Sequence, residues 1–247
     1  MLRNVIKLNL DDLWLCFGGV GAVFLLVHII TGIVLAVTRD HSAPMISGAT
    51  LPCAAGFILM CCAVSHVHVT FQQALRFGQT RRRSLGLYLG LMAFEGVCTA
   101  ALALVLTLAE RALAPALWLM LTGYTQLEWG SYIVPEPGIP GAPSADQWAN
   151  ALFVKDFALD WYWWPIILLG GLVLGLLIGT FTHRFGKRAA WILWGIWMLI
   201  CFAPQLLPWD EIWFTLPWQY LAVAGGVATV VCLGWSIRYL LRCPVRN

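Results

Sequence analysis

Charge is scarce in this sequence: only 11% of its 247 residues are Asp, Glu, Lys or Arg, against 60% hydrophobic. With a mean hydropathy of +0.79, the chain has too little polar surface for a soluble domain of its length. No polar stretch is long enough to fold as a separate domain, so one membrane bundle with an outer loop region accounts for the mass. The net charge of +3 makes no case for nucleic-acid binding, because the basic residues gather on one side of the bundle.

Other absences narrow the chemistry. There is no Gly-x-Ser-x-Gly, no phosphate-binding glycine loop ending in Lys-Ser or Lys-Thr, and no second intramembrane acid to pair with Glu95. No catalytic residue is assigned, and the chain is expected not to be an enzyme. His-Glu-x-x-His and Cys/His metal spacings are missing too, so neither metal nor haem is expected. Eight cysteines form no disulfide framework. Cys16, Cys61, Cys62, Cys98, Cys201 and Cys232 sit inside apolar runs and read as small apolar helix residues.

What is present is a series of apolar runs. Roughly 20 apolar residues of helix cross a hydrocarbon core, and six stretches qualify: about 13–37, 51–70, 85–109, 163–182, 189–207 and 217–241. The runs are continuous rather than alternating, which excludes a membrane barrel. The fold class is therefore all-α, with six transmembrane helices. Residues 1–12 read as an interfacial helix with Arg3 and Lys7 reaching headgroups. An outer segment spans 110–162, in which the Pro/Gly-rich 134–143 excludes regular helix, and 112–124 is an outer interfacial or re-entrant helix kinked near Pro115. The first run, at 25 residues, is too long for a cleavable signal core.

Orientation follows the lysines and arginines. With both termini inside, twelve of the fifteen lie inside: Arg3, Lys7, Arg76, Arg81, Arg82, Arg83, Arg184, Lys187, Arg188, Arg238, Arg242 and Arg246. Eight acids, among them Glu110, Asp156 and Asp160, fall outside.

Intramembrane ionisable residues are costly and so are functional candidates. Glu95, roughly 15 Å into its span, is the clearest. It lines a polar cavity, takes up a proton, or hydrogen-bonds a neighbouring helix while neutral. His28 falls nearer the outer end of the first run, while His66 and His68, two apart, point to different helix faces. Gly171, Gly175 and Gly179 repeat every fourth residue, a spacing that lets backbones approach closely, within the bundle or between copies. Trp161, Trp163, Trp164, Trp209, Trp213 and Trp218 sit at the outer boundary as belt anchors.

The densest charge is in "LRFGQTRRR", residues 75–83, and a shorter echo follows in "HRFGKR", residues 183–188. Each joins a helix running inward to one running out through a basic Phe-Gly turn. The first continues its span as a helical stretch exposing Gln72, Gln73 and Arg76, a shape suited to a soluble partner. In this motif, and in the six-span plan, the chain resembles the integral membrane permease subunits of bacterial ABC exporters of the type-2 superfamily, in particular the small six-span members.

That resemblance implies a location in the bacterial cytoplasmic membrane, pairing with a second permease subunit of the same or a homologous kind, and two cytoplasmic ATPase subunits. ATP and magnesium would be held by those partners, with no cofactor in this chain. It further implies that Arg76, Phe77, Gly78, Arg81, Arg82 and Arg83 form the coupling element, with Arg3 and Lys7 as a second contact. The cargo would be a peptide, a lipid or a hydrophobic compound. A membrane scaffold, sensor or immunity subunit is the other class compatible with the same bundle.

Overall fold

A computed structural model describes residues 10–38, 41–130, 150–186, 188–189, 191–196, 198 and 218–242. Its elements in chain order are α1 (Leu10–Thr38), β1 (Ser42–Met45), α2 (Ser47–His68), α3 (Thr70–Arg76), α4 (Arg81–Thr122), β2 (Gln126–Trp129), β3 (Ala151–Asp156), α5 (Trp163–Phe185) and α6 (Trp218–Arg242). The protein is mostly helical. Four stretches, Leu10–Thr38, Ser47–Arg76, Arg81–Thr122 and Trp163–Phe185, are long and apolar enough to cross a membrane. The interfacial helix expected at 1–9, the loop at 134–143 and most of the span at 189–207 lie outside the described residues, so Arg3 and Lys7 receive no structural placement.

Two compact units divide the chain: one of Leu59–Phe94 with the described part of Gly170–Asn247, the other of the described parts of Asn9–Ile58 and Glu95–Leu169. In the first, Ala63, Val67, Phe71, Leu75, Leu85, Tyr88, Met92, Leu176 and Leu240 form the buried core. The glycine ladder lies here. Gly171, Gly175 and Gly179 are all buried in α5. A Cβ at Gly175 would run into the Met60 carbonyl and lie 2.5 Å from Ala63 Cβ, while one at Gly179 would lie 2.9 Å from Val67. The small-residue face is therefore used for close approach of α5 to α2 within the chain.

The second unit departs from the all-α expectation. Three short parallel strands pair in the order β1-β3-β2, with Ser42 opposite Phe153 and Gln126 opposite Ala151. β3 is central, and its first four residues are all buried, as parallel strands covered on both faces require. β1 takes an edge, where Pro44 removes no ladder donor from a neighbour on both sides. Ala43, Met45, Leu152 and Val154 from the sheet pack with Leu35 of α1 and with Ala114 and Trp118 of α4.

The outer segment is corrected accordingly. Residues 112–122 are neither re-entrant nor a separate interfacial piece. They continue α4, a single helix of 42 residues that runs through Pro115. Proline removes one backbone hydrogen bond, to the carbonyl four residues earlier, and the contacts of Ala114 and Trp118 hold the last turns in place. Residues 126–129 and 151–156, expected as loop, are strands.

Candidate functional site

The two basic turns belong to the first unit and border one polar cavity. Helix α3 ends at Arg76, and the backbone closes in a Schellman arrangement: the Gly78 N–H donates to the Leu75 carbonyl at 3.0 Å and the Gln79 N–H to the Ala74 carbonyl at 3.1 Å. This demands a left-handed residue, and Gly78 has φ +76°. Helix α5 also ends at a left-handed glycine, Gly186, φ +60°, but in the simpler αL closure, with its N–H donating to the Thr182 carbonyl at 2.9 Å. Gly78→Ala is expected to cost about 1 kcal/mol, the left-handed penalty for a residue with a Cβ, read as a lower unfolding midpoint in detergent. Open space around Gly78 leaves backbone strain as the only source of the loss.

Between the turns lies a cavity of about 510 Å³ lined by His68, Val69, Gln72, Gln73, Arg76, Thr182, His183 and Gly186. Its wall carries two separate hydrogen-bonded sets. His68 Nε2 lies 2.8 Å from Thr182 Oγ1. That hydroxyl is also 2.8 Å from the Ile178 carbonyl and 3.0 Å from the Gly179 carbonyl. Gln72 Nε2 and His183 Nε2 are 2.8 Å apart, and His183 Nδ1 is 3.3 Å from the Tyr239 hydroxyl. Gln72 Oε1 is buried with no hydrogen-bond partner. The sequence reading had Gln72 exposed with Gln73 and Arg76. Instead Gln72 lines the cavity, because it lies beside Phe71 and one turn before Leu75 on the buried face that Ala63 and Val67 begin in α2.

The sister turns differ in what their side chains do. In the second, the Arg184 guanidinium lies over the rings of Phe185, Trp235 and Tyr239, 5.2 to 5.9 Å from their centroids, and Phe185 packs on Phe181 at 4.5 Å. In the first, Phe77 is 84% exposed, and Arg76, Arg82 and Arg83 are exposed around it. Arg81 is also exposed, but its Nη1 donates to the Leu241 carbonyl at 3.3 Å. It caps the C-terminus of α6, a place that favours a cation.

The second unit contains polar groups whose setting sequence reasoning missed. Glu110, placed outside the membrane by the sequence, is 3% exposed. Its Oε2 accepts the Ser47 N–H at 3.2 Å at the first turn of α2, and its Oε1 is 3.4 Å from His28 Nε2. Glu95 is 1% exposed, and a carboxylate oxygen of Asp12 lies within 4.8 Å of one of its own. Asp12, read in the sequence as part of the interfacial helix, lies in the first turn of α1 and gives Glu95 an acidic neighbour. The signal available was Asp12 within one turn of the first apolar run.

No family model matches the chain, and no curated protein or solved structure matches it either.

Proposed function

We propose that this chain is the membrane-spanning permease subunit of an ATP-driven ABC exporter of the small six-span kind, with both termini inside a bacterial cytoplasmic membrane. The turn at residues 76–83 docks on a cytoplasmic ATPase that holds ATP and magnesium, and a second permease subunit completes the pathway for a peptide, lipid or hydrophobic cargo. One observation supports this reading above the others. Of two turns that each close on a left-handed glycine, the second sets its arginine and its phenylalanine, 40% exposed, against rings of its own unit, whereas the first holds out Phe77, 84% exposed, among exposed arginines.

A bare phenylalanine ringed by cations suits a partner groove with an apolar floor and an acidic rim. The Schellman closure and the buried Phe71 and Leu75 fix the turn to the ends of α3 and α4. A push on it is therefore transmitted to helices long enough to cross the membrane. Arg81 serves this reading from behind, by holding the turn to the end of α6, rather than by facing the partner.

A photo-crosslinking amino acid at position 77 should capture an ATPase with a phosphate-binding loop in native membranes, and the same probe at position 185 should not. Equal capture at both positions, or lipid adducts alone at 77, would contradict the assignment and favour a scaffold whose arginines serve only topology and headgroup contact.

A further inference from the structure

We propose that His28 and Glu110 form a proton-binding site, with one dissociable proton held between His28 Nε2 and Glu110 Oε1 at the N-terminus of α2. The argument starts at the other ring nitrogen. His28 Nδ1 lies 2.9 Å from the Phe24 carbonyl oxygen, which can only accept, so Nδ1 carries a hydrogen. In a neutral ring Nε2 is then a bare lone pair. That atom is buried, has no geometrically aligned hydrogen-bond partner, and faces Oε1 at 3.4 Å. Two lone-pair bearers do not face one another out of water without cost.

A single proton in the gap removes the conflict. It makes either an imidazolium against a carboxylate or a neutral ring accepting from a carboxylic acid. Both forms have zero net charge, and the balance is His28·H·Glu110 against His28, a Glu110 anion and one released proton. Nothing else described at the site supplies a compensating cation. From the N-terminus of α2 comes the Ser47 N–H at 3.2 Å, accepted by Oε2, with the Ser47 hydroxyl and the Ile46 backbone N–H beside the same carboxyl, neutral donors all. From α1 comes the Phe24 ring, 4.2 Å from the imidazole centroid. Arg111, next to Glu110 in α4, is engaged by Asp156 of β3 at 2.6 Å.

The three members of the site come from three helices of one unit. Any movement that parts α1 from α4 breaks the shared proton's position, leaving Glu110 either to ionise at the α2 N-terminus or to keep the proton alone. The site thus ties protonation to helix separation without using the basic turns or a partner protein.

The test is spectroscopic and uses the full chain in lipid nanodiscs, labelled with 15N at histidine and 13C at the glutamate carboxyl. His28→Gln assigns the ring signal and Glu110→Gln the carboxyl signal. At neutral pH the wild type should show either both His28 nitrogens protonated with Glu110 ionised, or an Nδ1–H ring with Glu110 protonated. In Glu110→Gln the shared proton should be lost, one per chain, leaving the Nδ1–H ring. A neutral His28 protonated at Nε2 instead, or a neutral His28 facing an ionised Glu110, overturns the proposal. If a Gln variant fails to fold, sequential backbone assignment of a uniformly 13C,15N-labelled wild type identifies the same two signals, and that spectrum decides.

Discussion

Gly175→Leu should remove the folded protein from the membrane fraction, leaving aggregate or degraded chain in place of a monodisperse peak. The reason is geometric. Even the first carbon of a side chain at this position would collide with the Met60 carbonyl and with Ala63 Cβ at 2.5 Å, and Met60 Cα at 2.9 Å belongs to the backbone of α2, which cannot swing aside as a flexible side chain can. Overpacking a dense interface costs about 1–3 kcal/mol for a few added methylenes. A leucine adds four carbons where the first does not fit, so the loss should exceed that range and compare with the whole stability of a domain. Gly170→Leu is the control on the same helix, since nothing lies within 4 Å of a Cβ there. Size-exclusion profiles of the two variants should differ sharply. Similar profiles for both would mean that α5 does not approach α2 as described.

The second large effect is functional. Phe77→Ala combined with Arg82→Glu should abolish ATP-dependent export while the protein still inserts and elutes as the wild type does. Both side chains are exposed, so neither change removes core packing, and Arg81, which holds the α6 terminus, is left alone. A central aromatic anchor truncated in an interface costs about 2 kcal/mol or more, roughly a thirtyfold loss of affinity at 1.4 kcal/mol per decade. A reversed charge on the rim adds repulsion from the same groove. Efflux measured in inverted vesicles should fall to the level without ATP. Phe185→Ala with Arg184→Glu instead should lower stability, because it strips the contacts to Trp235 and Tyr239.

The long apolar helices were legible because continuous apolar runs have few other uses. Leu10–Thr38 and Trp163–Phe185 fall within three residues of the runs 13–37 and 163–182. The glycine at the end of each basic turn was legible for a different reason: a helix that must stop and reverse needs a left-handed residue, and Gly78 and Gly186 supply it. The sheet was not. Its strands are four to six residues long and pair over large separations, Ser42 with Phe153. No local pattern records such partners.

Glu110 was misplaced for a related reason. Next to Arg111 and at the end of an apolar run, it has the sequence signature of an acid in water. Its actual surroundings, the Ser47 N–H and His28, come from segments more than sixty positions away. Gln72 shows the same limit on a smaller scale: the buried face of α2 continues through Phe71 and Leu75, and an amide expected outside lies on it, in the cavity wall.

The central claim is that the turn at 76–83 meets an ATPase. The most direct measurement is affinity purification of the tagged chain from native membranes in mild detergent, wild type beside the Phe77→Ala, Arg82→Glu variant, with mass spectrometry of what each retains. The account predicts an ATPase carrying a phosphate-binding loop with the wild type and its loss, by tenfold or more on the affinity argument above, with the variant. Equal recovery from both, or no such ATPase with the wild type after cross-linking, would contradict it.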